Sequence, residues 1–165
     1  MDWIKYFTSI SLITALKSKD PSTQVGAVVV NTKNIIVSTG YNGAPRGVDD
    51  SFITEKTGPI KYAYVVHAEL NAILNAKQAL DGFSLFCNVF PCNECMKSII
   101  QSGIKKVYYL HLPSMGGSQS WADAVAAAKT MAAQAGVQLI QVFLDPIDQT
   151  DVILQYLDTH VRLRK

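Results

Sequence analysis

The sequence predicts a three-layer α/β sandwich, in which a five-stranded mixed sheet carries helices on both faces. Three observations predict it. A helix-spaced apolar pattern opens the chain, two aliphatic runs follow across a short polar turn, and three more such runs alternate with helix-forming segments. At 165 residues, with 48% hydrophobic and 17% charged residues, the chain is expected to fold as a single domain over 1–165 rather than as a disordered tail.

In order, residues 3–17 place Trp3, Ile4, Phe7, Ile10, Leu12, Ile13 and Leu16 on one mainly apolar helical face. Pro21 ends that helix, because the residue before a proline is pushed out of the helical region. Residues 25–30 read as a buried strand, 31–34 as a polar turn and 35–40 as its antiparallel partner. Residues 42–60 hold Gly, Pro and charges without periodicity and read as a long, functional loop. A buried helix is predicted over 67–79 and a strand over 83–89. A helix then runs from 93 to about 102 with Gly103 as a left-handed cap, followed by a strand over 105–110. A glycine-rich loop over 114–118 precedes a helix that starts at Ser120, with Asp123 completing a capping pattern, and ends near Gly136. The last strand is predicted over 137–144, and Pro146 suits the first turn of a C-terminal helix. Helices between successive strands imply right-handed parallel crossovers.

The net charge of +2, from 15 basic and 13 acidic residues, gives no strong electrostatic pull toward nucleic acid or an anionic membrane. No apolar run approaches the roughly 20 residues that span a bilayer, and no targeting segment is visible. Three cysteines, two of them in Cys92-Asn93-Glu94-Cys95, argue against a disulfide-stapled secreted fold; a cytoplasmic protein with a metal or redox site is expected. Cys87, mid-strand and without a matching partner, reads as core.

Two pieces carry chemistry: His67-Ala68-Glu69 and Pro91-Cys92-Asn93-Glu94-Cys95. Catalytic zinc takes three protein ligands and leaves a fourth position for water. His67, Cys92 and Cys95 supply such a set, with the thiolates at a helix start, where the dipole favours negative charge. In a regular helix His67 and Glu69 would point to nearly opposite sides. Both reach one site only if His67 stands at the helix start in non-helical geometry, which an extended Tyr62–Val66 approach would allow. Glu69 then moves a proton between water and substrate, zinc having lowered the pKa of that water to about 7.

Taken singly, C-x-x-C is often structural or redox-active, and H-x-E is usually just a pair of polar residues on the surface. A structural zinc knuckle more often has four Cys or His ligands, and His111 and His160 show no ligand spacing. The conjunction H-x-E…P-C-x-x-C is the signature of zinc-dependent nucleobase deaminases.

Beyond that signature, the chain resembles the deoxycytidylate (dCMP) deaminases of the cytidine-deaminase-like superfamily over roughly residues 3–110. The stretches that carry the resemblance are Ser18-Lys19-Asp20-Pro21-Ser22-Thr23-Gln24-Val25-Gly26-Ala27, Gly40-Tyr41-Asn42-Gly43, Lys61-Tyr62-Ala63-Tyr64-Val65 leading into His67-Ala68-Glu69-Leu70-Asn71-Ala72-Ile73, and Phe90-Pro91-Cys92-Asn93-Glu94-Cys95 followed by Ile99-Ile100-Gln101-Ser102-Gly103-Ile104-Lys105. The resemblance implies a cytidine-deaminase-like fold and hydrolysis of dCMP to dUMP and ammonia, feeding thymidylate synthesis. It implies zinc on His67, Cys92 and Cys95, a proton shuttle at Glu69, backbone groups at Ala68 on the base, and Asn42 on a sugar hydroxyl. Asn42-Gly43 is also a common turn pair, and Arg46 reads equally as a phosphate donor or a solvated loop residue.

The resemblance further implies a homohexamer activated by dCTP with Mg2+ and inhibited by dTTP. Lys19, Arg46 and Gly43, with Lys17 nearby, are the candidate effector residues. The first helix and the helix at 67–79 are the candidate subunit contacts. After the fourth strand the family often shows a Ser-Asp-Lys-Tyr-like run, where this chain has His111-Leu112-Pro113-Ser114-Met115-Gly116-Gly117. Gly116-Gly117-Ser118 reads as a flexible turn or as an anion cradle. The alternative substrates are dCTP, dCMP and dCTP together, or a free nucleoside. The alternative from another class is a non-catalytic, zinc-stabilised nucleotide-binding module.

Overall fold

The computed structural model describes residues 2–54, 59–110 and 118–143. The loop at 111–117, His160 and the helix expected from Pro146 lie outside the described residues. The elements are α1 (Trp3–Ala15), β1 (Gly26–Val30), β2 (Ile36–Tyr41), a 3-10 turn (Ser51–Thr54), α2 (Pro59–Tyr64), α3 (Ala68–Ala76), β3 (Ser84–Cys87), α4 (Asn93–Gln101), β4 (Lys106–Leu110), α5 (Gln119–Gln134) and β5 (Gln138–Val142). They form one five-stranded sheet in the order β2-β1-β3-β4-β5. β1 pairs antiparallel with both β2 and β3, whereas β3, β4 and β5 run parallel through α4 and α5. The mixed sheet and the parallel crossovers are as the sequence predicts.

Strand β1 alternates its side chains between two cores, which is why all five of its residues are buried. Val28 and Val30 join Phe86 under Phe7 of α1 on one face. Ala27 and Val29 join Leu85, Cys87 and Val107 on the other, beneath Ala68 and Ala72 of α3, Met96 and Ile99 of α4, and Ala128 and Ala132 of α5. Cys87 is therefore core, as expected.

Helix α1 turns a different face to the sheet from the one its apolar spacing suggests. It buries Phe7, Thr8, Ser11 and Ala15, while Trp3, Ile13 and Leu16 stay exposed. The cause is close backbone approach. A Cβ on Gly26 would sit 2.1 Å from the Ser11 carbonyl oxygen, so only small or short residues fit the contact.

Several boundaries shift for local reasons. The loop expected over 42–60 contains the 3-10 turn and the start of α2, with Pro59 at the first helical position, where its missing N–H is harmless. Tyr62 and Tyr64 are thus helical, and only Val65–His67 form the extended approach. α3 stops at Ala76 because Lys77 adopts a left-handed backbone, φ 50°. α5 is capped by Ser118, whose hydroxyl accepts from the Trp121 N–H, rather than by Ser120. Gly103 and Gly136 take positive φ just past α4 and α5, as C-terminal caps do.

Candidate active site

The two sequence pieces meet at adjacent helix starts on one side of the sheet. His67 is the N-cap of α3 with extended geometry, φ −68° and ψ 153°, and Cys92 is the N-cap of α4, φ −68° and ψ 173°. Neither side chain caps its own helix, so both are free to turn toward each other. The extended backbone at His67 resolves the i, i+2 problem: the imidazole leaves before the first turn, and Glu69 projects from within it. An isolated bridge holds the approach, with the Gly43 N–H on the Val66 carbonyl at 3.1 Å and the Val66 N–H on the Gly43 carbonyl at 2.8 Å.

His67 Nδ1 lies 3.4 Å from Cys92 Sγ and 3.3 Å from Cys95 Sγ, and one ligand atom from each residue lies within 4.8 Å of the others. Ligands at about 2.0–2.3 Å from a tetrahedral zinc are separated by roughly 3.5 Å, so the donor set fits that metal. Cys95 beside it holds the Cys92 thiol down to about 4, while Cys92 in turn pushes the Cys95 thiol far up. The Cys92 thiolate also raises His67 above its ordinary value, against burial. This is an electron-rich cluster that a divalent cation would neutralise.

Glu69 lies behind the cluster at 4% exposure, and burial raises its carboxyl above the ordinary 4.5. It interacts with all three donor residues without belonging to the donor group. A carboxyl poised upward in a cavity suits proton transfer.

His67, Glu69 and Cys92 border a cavity of about 720 Å³ that also takes in Asp20, Asn42, Lys61, Ala68, Phe90 and Trp121. Asn42 is in its wall, 7% exposed, with its carboxamide already engaged: Oδ1 accepts from the Val25 N–H at 2.8 Å and Nδ2 donates to the Thr23 carbonyl at 2.9 Å. Asn88 mirrors it from the β3 side, accepting from the Gly26 N–H at 2.9 Å and donating to the Gln24 carbonyl at 3.0 Å. Two buried amides thus stand in for ladder partners along residues 23–26, which explains why β1 starts at Gly26 and β3 ends at Cys87.

Arg46 lies elsewhere. With Lys17, Lys19 and Gly43 it lines a second cavity of about 350 Å³, and its guanidinium donates to Asn75 Oδ1. Lys19 pairs with Asp50 at 2.6 Å. Arg46 thus lines the second cavity with Lys17, Lys19 and Gly43 and is not among the described residues that line the first. Sequence reasoning missed Asn88, the cavity role of Asp20 and Lys61, and the α5 residues Ser120 and Trp121. Asp20 had a signal, since an Asp two residues before Ser22 is a turn-forming pattern. Lys61 had none.

Residues 1–111 match the family described as "Cytidine and deoxycytidylate deaminase zinc-binding region". The chain belongs to that family. It is 48% identical to deoxycytidylate deaminase from Mus musculus over 116 residues, covering 67% of this chain and 65%, just under two thirds, of that protein. It is 42% identical to the Homo sapiens enzyme of the same name over 143 residues, 83% of this chain and 78% of that one. Among solved structures it is similar to the cyanophage S-TIM5 dCMP deaminase in complex with dCMP and dUMP. The TM-score is 0.64 and the identity 27%, with 84% of this chain and 95% of the phage chain covered. Among the described residues no helix is long and apolar enough to cross a membrane.

Proposed function

We propose that this chain is a zinc-dependent hydrolase that deaminates dCMP to dUMP and ammonia, a step toward thymidylate. The observation that carries the reading is the His67–Cys92–Cys95 donor set beside the buried carboxyl of Glu69, at one cavity of a family member. The relatives named deoxycytidylate deaminase, and the phage enzyme seen with dCMP and dUMP, support the substrate.

His67, Cys92 and Cys95 would hold zinc, which supplies Lewis acidity that makes water nucleophilic near neutral pH. Glu69 takes a proton from the attacking water as oxygen bonds to C4 of cytosine. It passes that proton to the ring nitrogen, then takes the remaining proton from the oxygen now on C4 and gives it to the departing amine, so that C4=O forms, the C4–N bond breaks and ammonia leaves. Backbone groups at Ala68, buried at the head of α3, hold the base. Asn42 forms the sugar wall. Its carboxamide bonds along residues 23–25 support a fixed wall rather than a mobile one.

The second cavity, with Lys17, Lys19, Arg46 and Gly43, is the effector site in this reading, taking a triphosphate with Mg2+, dCTP as activator and dTTP as inhibitor. Its cations support an anionic ligand. A homohexamer in the cytoplasm completes the reading, supported by the apolar residues that α1 leaves exposed.

Ammonia release from deoxycytidine, dCMP, CMP and dCTP tests the substrate. dCMP is expected to be turned over best, with sigmoidal kinetics that dCTP and Mg2+ straighten. Zinc-loaded protein inert on all four would leave only a nucleotide-binding module, and best turnover of dCTP would reassign the substrate.

A further inference from the structure

The wall of the main cavity contains a charge pair that the chemistry above does not use. Lys61, on α2 and 3% exposed, places its ammonium 2.8 Å from Oδ1 of Asp20, itself 7% exposed. The two residues are 41 positions apart, and both border the cavity that holds His67 and Glu69. Asp20 also organises its own turn. Oδ1 accepts the N–H of Ser22 at 2.8 Å and of Thr23 at 3.1 Å, and Oδ2 lies 3.5 Å from Asn42 Nδ2.

The turn geometry needs an acceptor at Asp20, and a carboxylate is a good one. It also puts a negative charge in the wall of a cavity that must admit a phosphate. In a poorly solvated wall, like charges repel far more strongly than in water. Among the described lining residues, Lys61 is the only lysine or arginine. We propose that Lys61 is a specificity-determining positioning residue, whose ammonium neutralises Asp20 so that the wall built on the Asp20 turn accepts a nucleotide's phosphate. The inference rests on the dCMP reading. It assigns to Lys61 an effect exerted through Asp20 and requires no contact between Lys61 and substrate.

A purely structural pair would behave differently. Removing one partner would lower stability and damage turnover of phosphorylated and unphosphorylated substrates alike. A charge-compensating pair acts on the ratio of kcat/KM for dCMP to kcat/KM for deoxycytidine. Lys61→Met keeps the stem and exposes the Asp20 charge, so the ratio is expected to fall about tenfold or more, through KM for dCMP. Asp20→Asn keeps a turn acceptor and removes the charge, so the ratio is expected to hold or rise. The double variant Lys61→Met, Asp20→Asn removes both charges and is expected to recover most of the ratio lost in Lys61→Met.

If Lys61→Met does not fold, the other two variants decide, and a ratio that falls about tenfold in Asp20→Asn or in the double variant overturns the proposal. A wild-type enzyme that prefers dCMP, with a ratio unmoved by Lys61→Met, overturns the proposal alone. A wild type that turns over deoxycytidine as well as dCMP overturns the substrate reading and the proposal with it.

Discussion

At Glu69 the side chain and its burial do separate things. In the proposed site the carboxyl would not be needed to hold zinc, since His67, Cys92 and Cys95 would supply the donor set without it. Glu69→Gln keeps the shape and removes the proton acceptor. A folded, zinc-loaded protein is expected, with kcat lowered at least about a hundredfold; zinc by elemental analysis and dUMP formation check it. Asp20 permits a signed pH argument. Burial alone would raise its carboxyl, but the Lys61 ammonium and the Ser22 and Thr23 N–H groups hold it below the ordinary 3.8. A lowered carboxylate contributes stability that is fully present above its unfolded pKa and is lost as pH falls through the folded one. The stability gap between wild type and Asp20→Asn is therefore expected to stay level from pH 8 to about 5, then to close as the pH drops below 3.8. Denaturant unfolding at each pH measures it, and a gap that widens in acid would refute the ion-pair account.

At the element scale, the active-site helix is seated on a glycine. A Cβ built on Gly40 of β2 would lie 2.3 Å from the Ala72 nitrogen and 2.4 Å from the Ala68 carbonyl oxygen, both backbone atoms of α3. Gly40→Ala must push α3 off the sheet, and α3 carries Glu69 and follows His67 directly. Overpacking of this kind costs about 1–3 kcal/mol, and displacement of a reacting group by about an ångström costs on the order of a hundredfold in rate. Loss of activity at temperatures where the protein is still folded is expected. At Gly43 the nearest atom to an added Cβ is a Tyr41 ring carbon at 3.4 Å, an ordinary contact. Thermal melts and kcat for Gly40→Ala and Gly43→Ala compare the two positions, with the greater loss of stability expected at Gly40.

On the scale of the whole molecule, the proposed metal site would act as a clamp. His67 stands at the head of α3, and Cys92 and Cys95 at the head of α4. Both helices cover the same core, over Ala27, Val29, Leu85 and Cys87. His67, Cys92 and Cys95 bring three electron-rich donor atoms together within 4.8 Å, beside the buried carboxyl of Glu69. Chelation is expected to lower the melting temperature as well as to abolish turnover, since ligand binding to the native state alone is folding free energy. Readdition of zinc should restore both. A melting temperature indifferent to chelator in zinc-loaded protein would show that the core alone holds α3 and α4 together.

The sequence by itself determined the local chemistry. Zinc-ligand residue types, a C-x-x-C spaced by one helical turn, and His67 two residues before Glu69 are properties of a few neighbouring residues, and they required a non-helical His67, which the structure has. The alternation of apolar runs likewise determined the mixed sheet and its order of elements, because burial on two faces leaves a period in the chain. What only the tertiary structure decided are contacts between distant residues and the faces that helices present. The α1 spacing pointed to Trp3, Ile13 and Leu16, yet Gly26 brings the backbones so close that the small side of the helix is buried instead. Asn42 and Asn88 both clamp residues 23–26, from 17 or more positions away. Arg46 lines a different cavity from His67, though either placement suits its loop. Lys61 meets Asp20 across 41 residues. An ion pair of that kind leaves no period and no motif, because its energy depends on a distance that only the folded chain sets.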